Sequence, residues 1–456
     1  LDFKVIGQEM SNLQSSKKLG FTAKLYVWSV VFETLLFFIL VGQEVSLIGG
    51  NLSRILQFFV VTLLILKAFF TPLSEIRIFN PFSQYFKWYF IYFVFILVAF
   101  LYGYSSGAYI GKVESFTSNV LRPGFEYFIS LYYFFYFAVL PIFILRSEEG
   151  INYFFKIFFF MFFISLFLGT IDYLLVFLTG YEFIPRHLSD MRHVGIRFHG
   201  LAGEPRDAFV HLFFGLSLLY LKEIWDGKKF NRLWIPIIFF AAILTQSTSG
   251  ILGLGMAAAL IIAFQVPRMR IRNVFILSAS FLIIISAVSL LVLNSTRIQI
   301  YLDAAPLAMY ALENGLELPG VIMAQITNIY PLWIRWVDIT NLNILPLLIG
   351  TGLGTTSILN GYILSEGGVL NPHANIIRVF FESGFIGTLL FIFAFISPVM
   401  RLEKFAQVQN ISIFMLLMLG VSFGHRSSAV FTFLGLVILI LSFLGANQKK
   451  GLKQDN

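Results

Sequence analysis

Residues 151–178 read INYFFKIFFFMFFISLFLGTIDYLLVFL, and Lys156 and Asp172 are the only charges among them. A helix needs roughly 20 mostly apolar residues to cross the hydrocarbon core of a bilayer. This stretch is longer than that and holds no Pro, so it is expected to span a membrane. The whole chain has the same character. Of 456 residues, 58% are hydrophobic and 12% are charged, whereas a soluble domain is about one quarter charged. Mean hydropathy is +0.83. The 55 Phe residues suit lipid-facing and interhelical packing. Cysteine is absent, which excludes disulfides, thiolate catalysis and Cys-ligated metals.

Working outward, the apolar stretches suggest twelve spans, near 22–42, 52–70, 85–104, 127–145, 151–178, 207–222, 233–247, 249–265, 273–293, 374–398, 410–424 and 427–446. The pairs 233–247/249–265 and 410–424/427–446 are joined so tightly that they read as helical hairpins. The polar opening Leu1–Gly20 lacks the pattern of a cleaved signal peptide, so the first span is expected to act as an anchor. With the N-terminus in the cytoplasm, 21 of the 32 basic residues fall on the inner side, as the positive-inside rule asks, and both termini are cytoplasmic. The net charge of +8 therefore divides by membrane side, and nucleic acid is not expected as a partner. The fold class is all-α, a single integral membrane domain over 1–456. Its two long outer loops are 179–206, which is Arg-rich, and 294–373, a large loop expected to fold into a helical cap.

The outer side holds ten Arg and one Lys, against seven Arg and 14 Lys inside. Guanidinium presents a planar fork of donors that grips phosphate bidentately, so this bias points to an anion site. The densest charge lies in Arg192–Val210, RHVGIRFHGLAGEPRDAFV. Gly200 and Gly203 are expected to let the backbone approach a ligand. Pro205 suits the first turn of the following helix. Arg197 and Arg206 flank that helix start, a natural anion site, with Arg192 upstream, and Glu204 beside them is a candidate base. In NPHANIIRVFFESGFIG (Asn371–Gly387), His373 stands at the water edge, while Arg378 and Glu382 form an i,i+4 pair that could neutralise itself. Arg335, between Trp333 and Trp336, is either an interfacial anchor or a further cation at the mouth. Glu33 and Asp172 are intramembrane acids with no evident partners. The glycine-rich Ile349–Thr356 lacks the ending of a nucleotide loop. The sequence contains no Asp-x-Asp or His-Glu-x-x-His, so neither metal nor cofactor is expected and a phosphate site would rely on protein cations.

Four groups of residues resemble the Wzy O-antigen polymerase and O-antigen ligase superfamily of bacterial inner membranes. They are Arg197, Gly200, Gly203, Glu204 and Pro205; Thr-Gln-Ser-Thr-Ser-Gly at 245–250; Gly-x-Gly-x-Gly at 350–354; and His373, Asn375, Glu382, Gly384 and Gly387. The resemblance implies a helical glycosyltransferase of the lipid-phosphosugar-using, GT-C-like type. Such an enzyme moves a growing glycan from undecaprenyl diphosphate to a lipid-linked repeat unit at the periplasmic face, without metal and with inversion. Its partners would be the two undecaprenyl-linked oligosaccharides, membrane lipid and a chain-length regulator. Arg197 and Arg206 are then expected on the diphosphate, with Arg192, Arg335 and Arg378 as further cations and His373 or Glu204 as base. An O-antigen ligase acting on lipid A-core is the nearest alternative. A twelve-span flippase or transporter is a third; it would be expected to hold its charges near the midplane, whereas these gather at outer ends.

Overall fold

Apolar runs this long have one stable form in lipid, because every backbone N–H and C=O must find its partner inside the segment. In the computed structural model all regular structure among the described residues is helical. Those residues are 19–35, 52–70, 86–106, 121–184, 196–265, short pieces within 303–316, 344–356, 375–402 and 409–454. The helices are α1 (Phe21–Leu35), α2 (Leu52–Phe70), α3 (Lys87–Ser105), α4 (Arg122–Ile144), α5 (Glu148–Thr179), α6 (Pro205–Asp226), α7 (Trp234–Leu244), α8 (Thr248–Gln265), α9 (Ile344–Ile349), α10 (Asn375–Leu402), α11 (Gln409–Gly424) and α12 (Ala429–Gln454). Among the described residues five of them, α3, α4, α5, α6 and α10, are long and apolar enough to cross a membrane. This is a helical membrane protein. The expected span at 273–293 and most of the 294–373 loop lie outside the described residues. The expected hairpin 233–247/249–265 contains an 11-residue first helix, α7. At 1.5 Å per residue it is about 16 Å long, roughly half the hydrocarbon thickness.

The opening stretch is α5. Ser147 caps it by accepting a hydrogen bond from the Gly150 N–H at 3.0 Å, and Glu148 and Glu149 occupy its first turn, the end where carboxylates complement the helix dipole. Its 32 residues extend about 48 Å, so it outruns the bilayer core. One face packs inward through Phe154, Phe158 and Phe162. They meet α6, the most enclosed of the spans, where Phe213 and Phe214 are fully buried. Helix α4 is not regular. Phe134–Val139 form a π turn, in which the Leu140 N–H donates to the Phe135 carbonyl. Pro141 follows within the next turn; it has no N–H to continue the ordinary ladder.

Helices α8 and α11 approach most closely along a seam of small residues. A side chain at Gly253 would come within 2.9 Å of the Val421 Cα, and Gly420 lies directly against Ala257. In lipid, where apolar burial does not drive helices together, such backbone proximity supplies the packing. Gly255 lies on the same helix with open space around it. We predict that Gly253→Leu costs at least ~3 kcal/mol through overpacking, whereas Gly255→Leu is neutral or slightly stabilising through helix propensity. Unfolding of the two variants in detergent micelles checks this, and equal stability would remove the seam from the account.

Candidate functional site

The site is built where the first residues of α4 and α10 meet the turn between α11 and α12. Glu126 lies one turn into α4. Its Oε1 accepts from Arg122 Nη2 at 2.9 Å, and its Oε2 accepts from Arg378 Nη2 at 2.8 Å and Arg426 Nη1 at 2.9 Å. Arg378 also places Nε 3.2 Å from both oxygens of Glu382. Side-chain exposure is 6% for Glu126 and 1% for Glu382, but 30% for Arg122 and 33% for Arg426. The carboxylates are thus sealed in while two of the three guanidinium groups reach the mouth. Three cations against two anions leave one positive charge in excess. Beside the cluster is a cavity of about 60 Å³, lined among others by Tyr92, Ser130, Tyr133, Asn375 and Ser427. It has room for a few waters at most, so a larger anion would have to bind at the mouth.

The geometry of α10 explains Glu382. The helix breaks at Gly384, where φ is +63° and ψ −171°, a conformation open in practice only to Gly. The break frees carbonyls on the preceding turn. The glycine-rich loop after α9 satisfies them: Thr351 N–H donates to the Phe381 carbonyl at 3.2 Å and Gly352 N–H to the Glu382 carbonyl at 2.8 Å. Gly354 N–H donates to Glu382 Oε1 at 2.8 Å. A side chain at Gly352 would meet the Phe100 Cα of α3 at 2.5 Å. The amides of this loop are therefore engaged by α10, and two sequence motifs separated by about thirty residues form one structural unit.

The Arg197 stretch forms a second unit. Arg197 Nε donates to the Thr245 carbonyl at 3.0 Å and its Nη2 to the Gln246 carbonyl at 3.2 Å. Gln246 has φ +48°, so the guanidinium pins a strained turn at the α7–α8 tip. The close backbone approach at Gly200 is to α5, against Ser165 and Gly169. Glu204 is the N-cap of α6 and Pro205 occupies its first turn. Arg206 is half-buried, and its Nε has no acceptor among the described residues. Asp172 has found partners: it accepts from the Phe183 and Ile184 N–H groups at 2.9 and 3.0 Å, and the buried His199 places Nε2 3.4 Å away. Asp207 pairs with His425 at 2.6 Å. His425 is the neighbour of Arg426, so the α11–α12 turn links the two units. His373, Arg192 and Arg335 lie outside the described residues.

Three members of the cluster, Arg122, Glu126 and Arg426, did not stand out in the sequence. Glu126 could have been picked out as an acid four residues after Arg122 in an otherwise aromatic span. Arg426 was visible only as part of a hairpin tip. Tyr133 belongs to a neighbouring polar group: its hydroxyl donates to Glu33 Oε1 at 3.1 Å and accepts from Arg54 Nη2 at 2.9 Å, and Arg426 lies 5.6 Å from its ring centre. Glu33 also accepts from Ser53 at 2.7 Å and Gln57 at 3.0 Å.

No family model, curated protein or solved structure matches this chain. The chemistry is therefore read from the residues: buried carboxylates hold guanidinium groups in fixed orientation around a mouth with surplus positive charge, an arrangement that can bind an anion.

Removing Glu126 leaves three cations with a single buried carboxylate. Glu126→Ala is expected to cost about 3–5 kcal/mol, the usual loss when one partner of a buried pair is deleted. Arg232→Ala removes a pair with Glu223 whose cation is 51% exposed, and should cost no more than ~1 kcal/mol. Equilibrium unfolding in mixed micelles measures both; similar losses would show that Glu126 does not hold the cluster.

Proposed function

We propose that this protein is an O-antigen polymerase, a metal-independent, inverting glycosyltransferase of the bacterial inner membrane. In this reading it transfers a growing glycan from undecaprenyl diphosphate to a lipid-linked repeat unit at the periplasmic face. The observation that carries the proposal is the surplus positive charge at the Arg122–Arg378–Arg426 mouth. Breaking the bond between sugar C1 and the diphosphate oxygen builds negative charge on the leaving group, and donors fixed in advance stabilise that charge as it develops. Arg122 and Arg426 are exposed enough to reach it, and Arg206 brings a further cation on the second unit. Arg197 in this scheme acts as a positioning residue for the α7–α8 tip. Glu204 and His373 are the candidates to take the proton from the acceptor hydroxyl. Arg192 and Arg335 are further cations of the same outer side.

A second reading, a polysaccharide flippase or transporter, draws on the break in α10, since interrupted spans beside charged residues are a transporter feature. The ligase reading shares the donor chemistry and differs in the acceptor.

Gene deletion separates the three. Loss of a polymerase leaves core capped with a single repeat, loss of a ligase strands long chains on undecaprenyl diphosphate, and loss of a flippase traps single units on the cytoplasmic face. An unchanged glycan ladder would overturn all three. Within the polymerase reading, Arg122→Gln combined with Arg426→Gln should lower polymer yield at least tenfold after normalisation to the amount of protein in the membrane, as expected for losing charge-assisted contacts of ~1.5–3 kcal/mol each.

A further inference from the structure

At the end of the bundle opposite the arginine cluster, the start of α5, the end of α6 and the later part of α12 enclose a cleft of about 670 Å³. Its charged lining is Lys156, Lys222 and Lys228 against Glu148 and Asp226. Lys222 is paired with Asp226 on its own helix, which leaves Lys156 and Lys228 facing Glu148 and one positive charge in excess. The floor is apolar, with Phe155, Phe443 and Leu444, and the Trp225 indole donates to Asn152 Oδ1 at 2.8 Å at the rim. Indole at the edge of an apolar floor is the usual furniture of the membrane–water interface.

The position of Lys156 identifies the source of a ligand. It is exposed, and four residues further along α5 Phe160 is exposed too, followed on the same face by Phe167 and Leu174. Large apolar side chains left uncovered in helical register mark a lipid-facing stripe. Lys156 thus stands at the head of that stripe, where the cleft meets the acyl-chain surface. We propose that this cleft binds the phosphate headgroup of an anionic phospholipid, with Lys156 and Lys228 on the phosphate and an acyl chain against Phe160 and Phe167. The positive-inside distribution of basic residues places this end in the cytoplasmic leaflet. The site is separate from the arginine cluster and does not depend on the polymerase reading.

The full-length protein, purified in a nonionic detergent, can be titrated with dioleoylphosphatidylglycerol, dioleoylphosphatidylcholine or inorganic phosphate, reading bound lipid by native mass spectrometry and stability by thermal unfolding. Wild type should retain phosphatidylglycerol and gain stability from it in preference to phosphatidylcholine. Lys156→Gln with Lys228→Gln should weaken that binding at least tenfold. Lys229→Gln, one residue outside the lining, should leave it unchanged, and because all three positions are exposed the variants should fold normally. Equal phosphatidylglycerol retention by wild type and the double variant overturns the proposal. So does equal preference for phosphatidylcholine, or a stabilisation by inorganic phosphate that matches the lipid's.

Discussion

A carboxylate inside a membrane bundle has to be neutralised where it stands, and Glu126 imposes that requirement on three separate parts of the chain. Its two oxygens receive guanidinium groups from its own helix, from α10 and from the α11–α12 turn. Removing any one element would leave charge without compensation in a medium of low dielectric, where the desolvation cost is several kcal/mol per ion. The helices at this end are therefore held by mutual electrostatic need, in addition to the aromatic packing below them. The same constraint gives the mouth its chemistry, because carboxylates that are fully buried cannot neutralise the outer faces of Arg122 and Arg426.

The break in α10 belongs to the same arrangement. A continuous helix would have no free carbonyls for the glycine loop to engage, and that loop holds Glu382 through the Gly354 amide. Arg378 is thus fixed from both sides, by Glu382 within α10 and by Glu126 across the bundle. On the other unit, the Asp207–His425 pair connects the start of α6 to the residue preceding Arg426. The Arg197 stretch and the Glu126 cluster meet through that turn.

The helical membrane class was legible because it depends only on local composition: 28 residues with two charges admit few other readings in water or lipid. The start of α6 at Pro205 was legible for the same reason, as helix starts are encoded within a few residues. Glu126 was not, since its contact with Arg426 joins residues 300 positions apart and no periodicity announces it. Gly350, Gly352 and Gly354 were seen to be unsuited to a nucleotide, but nothing local says that their loop completes a broken helix. Gly200 was expected to face a ligand and instead meets α5; a close-approach glycine reports that something is near, without saying what. Asp172 looked isolated because its partner, His199, lies across a turn of the chain. Helix α7 ends where its apolar run ends, at Leu244, ahead of the polar Thr245–Ser247 turn, so it is shorter than the span expected at 233–247.

The π turn at Phe134–Val139 has a bearing on how this chain tolerates change. A π turn holds one residue more than the α-helical ladder needs, which amounts to a phase advance of about 100° between the two halves of α4. Above it stand Glu126, Ser130 and Tyr133; below it Pro141 and Ile144 lead into α5. The upper half is aimed at the charge cluster only because the extra residue is there. A single-residue deletion in this segment would heal the helix into regular form while turning its polar face away from Arg378 and Arg426. In such a span, length is part of the information: the aromatic residues can be exchanged among themselves more readily than their number can be altered.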